Sequence, residues 1–130
     1  MIMLDSHIAV WLLLEPERLS KTAATAIRES GLGSPDPVIS CVSLYEIAWT
    51  IRRGRIRSSL EPAQFLNKLL EFVRVIPFDE IIASTAAQLP LDFPSDPMDR
   101  LIAATASVYN VPLVTADFRI RGSGSVPTIW

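Results

Sequence analysis

Five acidic side chains stand where short apolar runs give way to helical patterns. Asp5 closes the run "MIMLD", Glu46 lies in "SLYEIA", Asp96 and Asp99 open "DPMDRLIAATA", and Asp117 follows "PLVTAD". Each has a plain explanation, because Asp and Glu favour helix N-termini and Asp96 before Pro97 suits an N-cap. Together they are harder to explain, since converging carboxylates repel unless a cation lies between them. Oxygen ligands with neither a cysteine cluster nor a histidine pair suit Mg²⁺ or Mn²⁺ rather than zinc. One or two such ions bind a phosphodiester, activate a water and stabilise the entering and leaving oxygens, which is nuclease chemistry. Ser6 beside Asp5 and Thr115 before Asp117 could orient a ligand or a water, or could be ordinary cap and turn residues. His7, the single histidine, makes neither a metal pair nor a Ser-His-Asp triad, and reads as a partly buried helix residue.

The elements that position these acids follow from hydrophobic pattern. Short buried strands are expected at Ile2 to Leu4, Val38 to Ser40, Val73 to Ile76, Pro112 to Thr115 and Pro127 to Trp130. Helical patterns lie between them. Ser6 would cap a helix to Leu14, Ser20 begins "SKTAATAIRES" up to Gly31, and Ser43 would cap "LYEIAWTIRR" with Glu46 in capping-box spacing. Pro62 suits the first turn of "PAQFLNKLLEF", a further helix runs from about Asp79 to Leu89, and Asp96-Pro97 opens the alanine-rich "MDRLIAATASVYN". The alternation implies an α/β sandwich, a mainly parallel sheet with helices on both faces, whose sites gather at the carboxyl edge. All five acids then belong to one edge. The turn-rich stretches "GLGSPDPV" and "LPLDFPSDP" do not read as linkers, and no repeat appears.

Composition narrows the class. The chain has 130 residues, 49% hydrophobic and 20% charged, with a net charge of −2, as expected of a single folded domain over residues 1–130. No apolar run is long enough for a membrane span and no signal peptide is visible. Cys41 is the single cysteine, in keeping with a reducing, cytoplasmic setting. Charge placement matters more than the sum, because "IRRGRIRSS" carries Arg52, Arg53, Arg55 and Arg57. That cluster is either a solvated helix end stopped by Gly54 or a phosphate-contacting patch. GxGxxG, GxxxxGK[ST] and GxSxG are absent. The phosphoaspartate families that place Asp after a first strand want further acids or a late Lys that this chain lacks.

The stretches "LDSHIAVWLLLEPERLS", "VISCVSLYEIAWTIRRGRI" and "DPMDRLIAATASVYNVPLVTADFRI" together resemble the PIN domain, specifically the VapC toxins of VapBC toxin–antitoxin pairs. The resemblance runs in order through nearly the whole chain. It implies a three-layer α/β/α sandwich with a five-stranded parallel sheet, and a Mg²⁺- or Mn²⁺-dependent endoribonuclease. It further implies a homodimer and a VapB-type antitoxin that blocks the site. The family's acid set falls on Asp5, Glu46, Asp99 and Asp117, with Asp96 as the first Asp of a "DPxDR" stretch that helps the site or caps the helix. Two other classes remain open: a PIN-like module that binds antitoxin or RNA without cutting it, and a metal-dependent hydrolase of small phosphate esters.

Overall fold

The computed structural model describes residues 1–32 and 36–130. Its strands are short: β1 Met3–Leu4, β2 Val38–Ser40, β3 Arg74–Ile76, β4 Leu113–Val114 and β5 Thr128–Ile129. Around them lie α1 Ser6–Leu14, α2 Lys21–Ser30, α3 Cys41–Arg52, α4 Pro62–Leu69, α5 Glu80–Ala87, α6 Pro97–Val108 and α7 Phe118–Ser123, with a 3₁₀ turn at Pro16–Arg18. The sheet order is β3-β2-β1-β4-β5, and every pairing is parallel. Strand order therefore reverses about β1, where connections leave toward opposite sides and open a crevice at the carboxyl ends of β1 and β4.

Alternation along each strand sends side chains to two separate cores. Ile2, Leu4, Ile39 and Val114 face α1, α2, α3 and α4, in a core that includes Ile8, Ile27, Ile47, Phe65 and Leu69. Met3, Val38 and Leu113 face α5 and α6, with Ile82, Phe93, Ile102 and three alanines of α6 among their neighbours. Those alanines let α6 lie close to the sheet and α5. Fully burying a residue the size of Phe65 or Phe93 stabilises by roughly 1.5–3 kcal/mol, so both layers are held independently of the acidic edge.

The helix starts differ from expectation in two places. Asp5, in extended backbone, is the N-cap of α1 and accepts from the Ser6 N–H; Ser6 is already helical. Ser40 leads straight from β2 into α3 as its N-cap, so Ser43 lies inside the helix and its buried hydroxyl has no hydrogen-bond partner. The Ser43–Glu46 capping box is therefore absent, and Glu46 falls in the second turn rather than the first. Ser20 and Asp79 cap α2 and α5 as the pattern suggests. Gly54 adopts φ +72° just after α3, a left-handed conformation that favours glycine. Four of the strands are a residue or two shorter than their apolar runs, and α7 is a helix that the hydrophobic pattern does not mark. Gly33, Ser34 and Pro35 of "GLGSPDPV" lie outside the described residues.

Candidate active site

Asp5 ends β1 and is only 3% exposed. Its Oδ1 accepts from the Ser6 N–H at 2.8 Å and its Oδ2 from the Thr115 hydroxyl at 2.7 Å. Thr115 follows β4, is fully buried, and its Oγ1 also accepts from the Asp117 N–H at 3.1 Å. One hydroxyl thus ties the ends of the two central strands, joining Asp5 to the backbone that carries Asp117. His7 makes a second tie: its Nε2 accepts from the Ala116 N–H at 3.0 Å. A neutral ring that accepts at Nε2 carries its proton on Nδ1, and Nδ1 lies 3.6 Å from Asp5 Oδ2. The histidine is a partly buried helix residue as expected, but it also braces the loop after β4.

Asp96 and Asp99 come from the start of α6. Asp96 is exposed and caps the helix, accepting from the Met98 and Asp99 N–H groups at 2.8 and 3.3 Å. The loop before it is gathered by Arg100, which donates to the Leu89 carbonyl at 2.8 Å and lies 3.4 Å from the Phe93 carbonyl. Asp117 caps α7 and accepts from the Arg119 N–H at 2.8 Å. The Arg119 guanidinium also grips both Asp117 oxygens, at 2.9 Å through Nη2 and 3.3 Å through Nε. Three of the acids are consequently helix caps while facing the same edge. Capping and site-building are here one arrangement.

The electrostatics show that the acids sense one another. Asp99 is pushed up to about 7, first by burial and then by the charges of Asp5, Asp96, Glu46 and Asp117. Glu46 is raised by burial and by Asp5 and Asp96, while the nearby Ser6 hydroxyl opposes the rise by favouring the carboxylate. The Ser6 oxygen is buried and makes no hydrogen bond of ordinary geometry. Asp117 is lowered, chiefly because Arg119 hydrogen-bonds its charged form. Among the described residues no three acidic, histidine or cysteine side chains are gathered closely enough to enclose an ion; the acids share a field without closing on one another. The donors still suit a hard divalent cation: they are all oxygens, and their mutual repulsion calls for positive charge.

A groove of about 670 Å³ opens beside these acids, with Ser6, Glu46 and Asp96 in its lining. The basic cluster divides around it. Arg52, Arg53, Arg55 and Arg57 are all exposed, but only Arg55 lines the groove, whereas Arg57 borders a separate hollow of about 300 Å³. Arg53 lies over the ring of Trp49, and Arg52 sits in the last turn of α3. Arg119 was not singled out from sequence, although "DFR" after a strand places an arginine two residues past a capping acid. Arg100 was equally unnoticed, because its partners are carbonyls that carry no sequence signature.

The same chain is similar to known proteins over nearly its full length. A family model of the PIN domain matches residues 2–122. Ribonuclease VapC22 of Mycobacterium tuberculosis (strain ATCC 25618 / H37Rv) is 39% identical over 120 residues, covering 92% of this chain and 89% of the relative. Among solved structures, VapBC2 from Rickettsia felis bound to a DNA fragment from their promoter aligns with 98% of this chain and 97% of its own, with TM-score 0.75 and 18% identity. The DNA-bound VapBC from Salmonella typhimurium covers the same shares, with TM-score 0.71 and 19% identity. At such identities the structures speak for the fold.

Proposed function

The chain belongs to the PIN domain family, and on that premise we propose that it is a divalent-metal-dependent endoribonuclease, the toxin of a type II toxin–antitoxin pair. The observation that supports this most directly is the convergence of four chain segments' acids on one sheet edge, where burial first and the neighbouring charges second raise Asp99 to about 7. Similarity to a ribonuclease of matching length supports RNA as the substrate. Similarity to VapBC complexes supports a VapB-type antitoxin as partner, and a homodimer completes the reading.

In this reading Asp5, Glu46, Asp99 and Asp117 would hold Mg²⁺ or Mn²⁺, which would supply positive charge for the scissile phosphate and for the attacking water. Thr115 and His7 are positioning residues that keep Asp5 and the Ala116–Asp117 backbone in register. Ser6 places its buried hydroxyl beside Glu46, where it favours the carboxylate. Asp96 sets the start of α6 and adds negative charge. Arg119 holds Asp117 in its charged form. Water attacks phosphorus and the P–O3′ bond breaks, leaving a 5′-phosphate and a 3′-hydroxyl; the RNA 2′-hydroxyl takes no part.

The test is cleavage of total RNA with Mg²⁺, with Mn²⁺ and with chelator, using wild type and the Asp5→Asn and Asp99→Asn variants after circular dichroism shows them folded. Cleavage should need metal and fall at least about 100-fold in both variants. A 2′,3′-cyclic phosphate product would reject the water mechanism. Failure to cut RNA while hydrolysing a small phosphate ester would move the protein to a different class.

A further inference from the structure

Beside the acids, the groove is aromatic. Tyr45 and Trp49 lie one turn apart on α3, flanking Glu46, and their rings stand 6.3 Å apart between centroids and 14° from parallel. They are 60% and 48% exposed, so much of each ring is free to meet a ligand. One further turn along, the Arg53 guanidinium lies 5.2 Å from the Trp49 ring centre. Trp11, in the same lining, carries Arg18 at 4.1 Å. Arg55 adds an exposed positive charge to the groove. In a chain of net charge −2, ring faces paired with guanidinium groups thus stand on α1 and on α3, the helix that bears Glu46.

Flat rings stack on nucleobases whatever their sequence, and arginines beside them neutralise phosphates or stack in turn. We propose that Tyr45 and Trp49 form a nucleobase-stacking subsite that holds an unpaired RNA nucleotide next to the phosphate to be cut, with Arg53 and Arg55 serving the backbone. This rests on the ribonuclease reading and narrows its substrate to RNA with accessible bases at the cleavage point. A duplex keeps its base faces covered, so the platform cannot engage it. An apolar peptide fits the lining less well. It would remove water from Glu46, Asp96 and Arg55 without replacing their partners, whereas a nucleotide brings a phosphate for the arginine and the cation that accompanies it for the acids.

The experiment measures equilibrium binding of fluorescent single-stranded oligoadenylate, oligouridylate and the duplex of the two to the folded Asp99→Asn protein, with and without Mg²⁺, so that cleavage does not interfere. Single strands should bind more tightly than duplex, and adenylate more tightly than uridylate. Adding Tyr45→Ala or Trp49→Ala should raise the Kd for oligoadenylate about tenfold and erase the preference over uridylate. Trp49→Phe should retain most of the binding, and Arg55→Gln should flatten the dependence of log Kd on log salt by about one. Unchanged affinity after ring removal, equal binding of duplex, or no binding of oligoadenylate by the parent overturns the subsite. So does loss of antitoxin binding in the ring variants with RNA binding intact, which would assign the platform to a protein. Wild-type cleavage of total RNA separates the two levels: metal-dependent cutting that Trp49→Ala leaves unaltered removes the subsite and keeps the ribonuclease, while no cutting removes the ribonuclease reading itself.

Discussion

Thr115 carries more of the site's geometry than its type suggests. Its hydroxyl donates to Asp5 and accepts from the Asp117 backbone, so Thr115→Val keeps the volume and breaks both links. The expected outcome is a loss of about 1–3 kcal/mol in denaturant unfolding, the penalty for unpaired buried polar groups, and a fall of about 10–100-fold in RNA cleavage. Thr115→Ser should restore most of both. Asp99 makes a separate prediction. Its carboxyl is raised from about 3.8 to about 7 on folding, so between those values the native state binds more protons than the unfolded state. The contribution to stability is therefore complete below about pH 4 and is lost as pH rises through 7. Thermal melting of metal-free protein should show the midpoint falling across that window, and Asp99→Asn should flatten the fall. Asp5, Asp99 and Asp117 could be read from sequence because each follows an apolar run or starts a helix. The bond from Thr115 to Asp5 spans 110 positions, and no local pattern encodes it.

At the scale of elements, the start of α6 depends on Arg100. That side chain reaches back to the Leu89 carbonyl and lies over the Phe93 ring, fastening the loop that presents Asp96. Arg100→Met removes the donors and retains the stem. Unfolding should show a loss of about 1.5–3 kcal/mol, as for hydrogen bonds from charged groups, and limited proteolysis should find new cuts between Leu89 and Asp96. Arg100→Lys should rescue only part of the loss, because an ammonium lacks the planar fork. The α3 start illustrates the limit of local signals. "SLYE" has capping-box spacing, but β2 runs directly into the helix at Ser40, and the continuous chain path overrides the motif. Glu46 is thereby moved a turn inward, into the groove.

Across the whole molecule, the two cores hold the sheet while the acidic edge opposes itself. A divalent ion that binds only the folded protein stabilises it by about 2.7 kcal/mol at one hundred times its Kd. Mn²⁺ or Mg²⁺ should raise the melting temperature more at pH 8, where Asp99 is ionised, than at pH 5, where it is protonated. In the Asp5→Asn variant the metal-induced rise should shrink at both pH values. Equal shifts at the two pH values, or shifts unchanged in the variant, would place the ion elsewhere.

The sequence by itself determined the alternation of strands and helices, because burial periodicity and caps are local, and it marked acids at strand ends, because those positions are defined by the same local signals. It also carried the family pattern, which spans residues 2–122. Only the tertiary structure decided the strand order β3-β2-β1-β4-β5, which sets β1 beside β4 and brings Asp5 to Thr115. It alone sent Arg55 and Arg57, two of the four neighbouring arginines, to separate hollows, and tied His7 to the Ala116 backbone. The reason is physical: hydrophobic pattern specifies which face of an element is buried, whereas the neighbours of a polar side chain depend on how distant elements pack together.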